Sequence, residues 1–256
     1  MTPMRILFAV LTLCVCGGCS DNRSDTTAAR KVTAQQPTGP LLFQPTFHFA
    51  DGETTQQGTG FFIKRESGQA VGVTSAHFLD FEGPKMMAAE WLTIPEENSV
   101  AKFKYSLGSP GNGGRDEPID LRSDYFLLVD EGVPEAIVSL KLDDRIKPDV
   151  GERVWFPNKN WDALEGHTFV GGTVMESVSE YSLVVLDEDV EMQSQSGSPI
   201  LSQQTGKVVG TLSRAGWWDD GSTALLLCPS HAIARVLAGN PETTSLEDAV
   251  GGHRQP

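Results

Sequence analysis

The chain has 256 residues, enough for one large domain or two small ones. Hydrophobic residues make up 39%, and 26 glycines lift the apolar share close to the globular norm, which excludes a long disordered chain. Lys and Arg number 20 against 34 Asp and Glu, and the net charge of −14 repels phosphate backbones, so nucleic acid is not an expected partner. The 15 prolines and many glycines argue against a helical bundle and for short strands joined by turns.

Residues 1–18 read as a signal peptide. Arg5 supplies a positive charge, and the apolar run from Ile6 to Cys16 is too short to span a bilayer as a helix. The run ends in Gly17-Gly18-Cys19, which resembles a bacterial lipoprotein signal, although Cys16 stands where that signal usually has Leu. The resemblance implies lipidation of Cys19, a membrane contact through that lipid, and an exported protein of the cell envelope. Ordinary signal cleavage and an uncleaved apolar end are the alternatives. Cys14 and Cys16 leave with the leader, and if Cys19 carries lipid, Cys228 has no disulfide partner and reads as a small buried hydrophobe. No CxxC or HExxH is present, and no metal or organic cofactor is expected.

Residues 19–40 are polar, lack aromatics and read as a flexible tether. Short β-rich runs follow at 45–50, 60–63, 70–74, 125–129, 153–156, 182–186, 207–212 and 224–228, with Gly, Asn, Asp or Pro between most of them. Residues 230–238 read as a helix capped by Ser230 and ended by Gly239. Residues 241–256 have few apolar side chains and are expected to be a disordered tail.

Three places carry candidate chemistry. His77 follows Val73-Thr74-Ser75-Ala76 at a strand-to-loop corner, where an imidazole can face a cleft. Asp124 heads the apolar run to Leu128 and can accept the Nδ1 proton of a histidine. Asp116, Asp120 and Asp130 are rivals, and Asp124 is preferred because it adjoins the run. Ser196 precedes Gly197, which lets the backbone turn so that nearby amides can point at one spot and bind an oxyanion. Each motif alone has a bland reading as an ordinary loop or turn. Together they stand in the order His, Asp, Ser.

Gly58 to Phe62, Thr74 to His77, Ser123 to Leu128, Ser196 to Pro199 and Leu227 to Ser230 occur in the order of a trypsin-like serine peptidase. The nucleophile motif resembles bacterial glutamyl endopeptidases. The closing segment resembles bacterial high-temperature-requirement proteases. The resemblance spans 41–240 and implies an all-β fold of two antiparallel six-stranded barrels, about 41–142 and 143–228, with a short C-terminal helix. It implies peptide-bond hydrolysis by Ser196, His77 and Asp124, an oxyanion hole from the amides of Ser194 and Ser196, and polypeptide substrates. By the same resemblance Val190 and Glu191 lie near the primary specificity pocket, and Ser213, Arg214 and Ala215 pair with substrate backbone.

Two departures matter. Ser194 stands where the family usually has Gly, and a side chain there disfavours the backbone that aims the amide. Gln195 is neutral where animal relatives have an Asp that pairs with a new N-terminus. The alternative functions are a catalytically impaired domain that binds peptides or proteins, and an unrelated β-sandwich lipoprotein in which the three residues do not converge.

Overall fold

The computed structural model describes residues 34–79, 83–108, 110, 120–129, 133 and 137–250. Cys19 and the whole expected signal lie outside the described residues, as do Asp116 and Asp130. The strands in chain order are β1 (Phe43–Phe49), β2 (Thr54–Gln56), β3 (Phe61–Lys64), β4 (Ala70–Thr74), β5 (Met86–Thr93), β6 (Ser99–Phe103), β7 (Tyr105–Leu107), β8 (Phe126–Val129) and β9 (Ser139–Leu140). They continue as β10 (Arg153–Lys159), β11 (His167–Ser177), β12 (Ser182–Leu186), β13 (Pro199–Ser202), β14 (Val208–Trp217) and β15 (Thr223–Pro229). Helix α1 (Ser230–Ala238), strand β16 (Thr243–Ser245) and helix α2 (Leu246–Ala249) close the chain.

The all-β expectation holds, but only one closed six-stranded barrel is present among the described residues. It runs β10-β11-β12-β15-β14-β13 and covers the C-terminal half. The expected second closed barrel is instead a four-stranded sheet, β2-β1-β5-β6, and a six-stranded sheet, β16-β7-β8-β4-β3-β9. Ladder pairing breaks where the chain passes from one sheet to the other. Lys104 interrupts the run between β6 and β7, and β1 meets the start of β3 at the isolated Phe43–Gly60 bridge. Strand β9 also pairs in parallel with β3 and takes up its outer edge.

Alternation along the strands builds the cores. Phe43, Phe47, Phe62, Trp91, Phe103 and Phe126 fill the N-terminal half. Val154, Phe156, Val184, Ile200, Leu225 and Leu227 fill the closed barrel. A third cluster joins the halves, bringing Phe61, Val73 and Leu127 against Trp155, Leu201 and Val208. Arg145, in the segment between the halves, lies between the buried carboxylates of Asp143 and Glu152, at 2.7 and 2.8 Å. Burial raises both carboxyls, but hydrogen bonds from Arg145 outweigh it and hold them below their ordinary values.

Both ends of the domain differ from expectation. Residues 34–40 lie against the domain surface: the Ala34 amide donates to Gln203 O at 3.2 Å, and the Gly39 amide donates to Glu165 Oε1 at 3.0 Å. Residues 241–250 are ordered. Strand β16 pairs with β7, and Leu246 and Val250 are buried in the N-terminal core. Four residues apart, they supply the few apolar contacts that segment needs. Helix α1 begins and ends as expected, but its capping differs. Ser230 makes no cap bond and its Oγ donates to Asp143 O at 3.2 Å. Gly239 has φ −72°, and Asn240 takes the left-handed turn at φ 49°.

Leu246→Ala should destabilise the domain by about 2–5 kcal/mol in urea melts, because it leaves a core cavity. Leu164→Ala, at a side chain 91% exposed, should change stability by less than about 0.5 kcal/mol. Equal values for the two would return the C-terminal segment to a frayed tail.

Candidate active site

The strand on the other side of β4 from β3 sets the first half of the site. Strand β8 runs antiparallel to β4 with Thr74 opposite Phe126. Continuing that register past the strand ends brings Ala76 opposite Asp124. The Ala76 and His77 amides both donate to Asp124 Oδ1 at 2.9 Å. His77 Nδ1 lies 2.8 Å from Asp124 Oδ2. Ser213 Oγ donates to the same oxygen. Ser213 reaches it because β14 bulges between Leu212 and Arg214, which turns this residue inward.

The Asp124 carboxylate is fully buried. Burial raises its pKa, but the bonds from His77, Ser213 and the Ala76 amide outweigh that and hold it below the ordinary value of 3.8. An ionised carboxylate only accepts, so Nδ1 of His77 carries a proton. In the neutral imidazole, Nε2 is then the acceptor. Phe78, next to His77, packs on Phe47 with ring centroids 5.7 Å apart and fixes the corner in the core.

Small polar residues before His77 hold the corner, one within its own half and one across to β14. Thr74 Oγ1 donates to Thr59 O at 2.7 Å, and Ser75 Oγ donates to Leu212 O at 2.9 Å. The loop bearing Ser196 docks on the same two residues. The Thr59 amide donates to Ser196 O at 2.7 Å, and the Gly197 amide donates to Leu212 O at 2.8 Å. Gly197 has φ +94°, and a Cβ there would stand 2.0 Å from Thr59 O and 2.7 Å from Thr74 Oγ1. Only glycine fits this approach.

Within that loop the amides of Gln195, Gly197 and Ser198 are bonded to Met192 O, Leu212 O and Gln195 O. The amides of Ser194 and Ser196 have no acceptor among the described residues. Ser194 has φ +57°, the left-handed conformation that its side chain was expected to oppose. Two contacts on its carbonyl hold it there: Thr59 Oγ1 at 2.8 Å and Lys159 Nζ at 2.9 Å. The Gln195 side chain is buried and satisfied. Its Nε2 donates to Asn158 Oδ1 at 2.6 Å, and its Oε1 accepts from the Lys159 amide at 3.1 Å.

The structure thus brings His77, Asp124 and Ser213 together and seats the Ser196 loop on the turn and strand end that lead to His77. It joins no hydrogen bond between Ser196 Oγ and His77 among the described residues; the side-chain bond of His77 runs to Asp124. Asp120 is engaged elsewhere, paired with Arg122 at 2.6 Å. Val190 packs half-buried against the barrel core, and Glu191 is exposed, its carbonyl accepting from Gln195 Nε2 at 3.3 Å. Arg214 and Ala215 are half-buried on β14. That strand pairs with β15 along 210–217, whereas its pairing with β13 ends at Thr211. Cys228 is free and buried. No group of side chains suited to hold a metal occurs among the described residues.

Solved structures similar to this chain are proteases. A Tobacco Etch Virus protease mutant is 15% identical, with a TM-score of 0.52, over 84% of this chain and 87% of that one. The thermostable serine protease AL20 from an extremophilic microorganism is 12% identical at a TM-score of 0.53, over 79% and 97%. The HtrA-type protease AlgW is 12% identical at 0.52, over 79% of this chain and 60% of its own. The fold is that of the chymotrypsin-like serine proteases. No protein-family model matches the chain, and no curated protein does. Within this protease fold, the bond from Ser213 and the grip of β10 on Gln195 were missed by sequence reading. Ser213 had been placed only as a substrate-strand residue, and nothing local in the sequence marks Asn158 or Lys159.

Asp124→Asn should cost about 1.5–3 kcal/mol at neutral pH, because it removes charge-assisted bonds. A depressed carboxyl adds stability that is complete above pH 3.8 and is lost as pH falls through its folded value. Urea melts at neutral and at lower pH should therefore show wild type losing its advantage over Asp124→Asn on acidification. A difference independent of pH would mean that the carboxylate is not ionised in the native protein.

Proposed function

We propose that the protein is an exported serine endopeptidase. Ser196 attacks a peptide carbonyl, and His77 takes its proton through Nε2 and returns it to the leaving amine. Asp124 holds His77 in the required tautomer and stabilises its cation. The Ser194 and Ser196 amides receive the oxyanion. The acyl-enzyme is then hydrolysed by water with His77 again as base. These steps use no metal or organic cofactor. The observation that carries the reading is the pairing of a buried Asp124 with His77 Nδ1 beside a docked Ser196 loop whose Ser194 and Ser196 amides have no acceptor among the described residues.

An extended polypeptide would add to the edge of β14 at Ser213, Arg214 and Ala215, where the β13 pairing has ended. Val190 and Glu191 would flank the side chain of the residue cleaved. A second reading, an impaired domain that binds peptides or proteins, is favoured by one observation. Ser194 carries a side chain at φ +57°, a strained conformation for a residue whose amide must stay aimed.

A fluorophosphonate probe separates the two: a competent Ser196 labels, and an impaired site stays unlabelled. Ser196→Ala should change stability by about 0.5 kcal/mol or less. It should lower cleavage of a peptide library by about 10⁴–10⁶-fold, with His77→Ala costing as much and the double mutant little more. Cleavage of equal strength by wild type and Ser196→Ala would assign the activity to another nucleophile.

The reading includes a signal peptide and a lipid on Cys19 that would tether the domain to a membrane of the cell envelope. It rests on the sequence before residue 20. Among the described residues no helix is long and apolar enough to cross a membrane. Stable anchoring by lipid needs more than one acyl chain, each buried methylene contributing about 0.8 kcal/mol. Mass spectrometry of the membrane-extracted protein should find an acylated Cys19, and Cys19→Ser should move the protein to the soluble fraction or leave it uncleaved. A mature chain without lipid would overturn the anchor.

A further inference from the structure

The end of β10 grips the loop before Ser196 with two consecutive residues. Asn158 and the Lys159 amide hold both ends of the Gln195 side chain amide. The Lys159 ammonium donates to Ser194 O at 2.9 Å, to Gln44 Oε1 at 3.1 Å and to Gly58 O at 3.4 Å. Its three protons meet three oxygens, one on β1, one in the turn before β3 and one in the Ser194 loop. No carboxylate forms an ion pair with it among the described residues. The ammonium also lies over the Trp161 ring, 5.9 Å from its centroid.

We propose that protonated Lys159, together with Gln195, is the latch that keeps Ser194 in its left-handed conformation, so that Lys159 is a positioning residue for the oxyanion-binding amides. The proposal rests on the peptidase reading. It accounts for two departures at once. A serine can stand at a position that needs φ above zero because its carbonyl is held by fixed donors. A neutral Gln195 can replace an acidic residue because its partners belong to the chain itself, and no new N-terminus is needed.

The latch is sensitive to protonation. Burial lowers the Lys159 pKa to about 8. A neutral amine has two protons and a lone pair, so one of the three oxygens loses its donor. The charged and titratable groups around it are few. His167 lies opposite Lys159 on β11, its pKa lowered chiefly by burial. Asp162 and Glu165 lie in the turn between β10 and β11, and Glu191 lies in the loop before Ser196. Gln44 and Gly58, on the opposite side, are neutral.

Lys159→Met keeps the stem and removes the donors. Its kcat should fall about 10- to 100-fold, with KM within about 2-fold, because misaimed amides weaken transition-state binding more than substrate binding. Wild-type activity should show a basic limb near pH 8 that Lys159→Met lacks, while the acid limb is the same in both. Hydrogen exchange of peptides covering 193–198 should speed up in Lys159→Met, with β15 unchanged. The wild type tests the latch without substitution: exchange in 193–198, corrected for intrinsic rate, should accelerate as pH crosses about 8. This measurement decides if Lys159→Met does not fold. Unchanged exchange in both experiments overturns the latch, whatever the activity. Changed exchange in a protein that neither cleaves nor labels overturns the peptidase reading and leaves the latch standing.

Discussion

A single buried carboxylate organises this site. Asp124 accepts from the Ala76 amide, the His77 amide, His77 Nδ1 and Ser213 Oγ, so the end of β4, the start of β8 and the bulge of β14 converge on one residue. A carboxylate offers about four lone-pair sites, and four donors fill them. Its burial is tolerable only because they do. The same bonds fix the His77 tautomer and orientation. Stability and candidate chemistry are therefore set by the same contacts.

The second constraint is steric. Gly197 lies against Thr59 O and Thr74 Oγ1 with no room for a Cβ. Thr59 is held in turn by its bonds to Ser194 O and Ser196 O. The Ser196 loop therefore touches both halves: Thr59 on the N-terminal side, Leu212 and the end of β10 on the barrel side. Completion of the site depends on the packing of the two halves. The shared cluster of Phe61, Val73 and Leu127 with Trp155, Leu201 and Val208 supplies that packing through apolar burial.

Much of this was legible because short motifs carry local geometry. Strands β4 and β12 match the runs read at 70–74 and 182–186, and the turn at Gly68, φ +87°, follows from its residue type. Strand β5 was not legible. Met86 to Thr93 is rich in Met, Ala, Glu and Leu, which favour helix, and it is a strand because Met86, Ala89 and Trp91 fill the N-terminal core. Strand β11 was obscured by Gly171 and Gly172 in its middle. A Cβ on Gly171 would stand 2.3 Å from Asp187 Oδ2, the end of a side chain whose pairing with Arg153 lies over this glycine and is not visible in the sequence. The His77 and Ser196 contexts could be read because short motifs surround them, although the residues that position them, Asp124 and Thr59, are distant in sequence. The contacts of Gln195 and Lys159 with each other and with Ser194 could not, since nothing local marks Asn158 or Lys159 and these pairs are 35 or more residues apart.

The departures at 194 and 195 and the contacts of Lys159 are best understood as one arrangement. A glycine at 194 would reach positive φ without strain and need no external hold. A serine does so only when its surroundings over-determine it, at a cost of order 1–3 kcal/mol. The Lys159 ammonium and the Thr59 hydroxyl provide that hold. The ammonium is itself costly, since burial lowers the Lys159 pKa to about 8 from 10.5 in the unfolded chain. Between about pH 8 and 10.5 the unfolded chain binds more protons than the folded one, so stability rises with pH across that window. Across the same window the amine loses a proton from its three-oxygen cradle. Stability therefore favours the deprotonated amine, whereas the geometry of Ser194 favours the ammonium. Such opposition between stability and local geometry is a mark of functional sites rather than of packing contacts. It is also why a serine at 194 does not by itself imply an impaired site: the strain at that residue is opposed by donors from β10 and from the turn before β3.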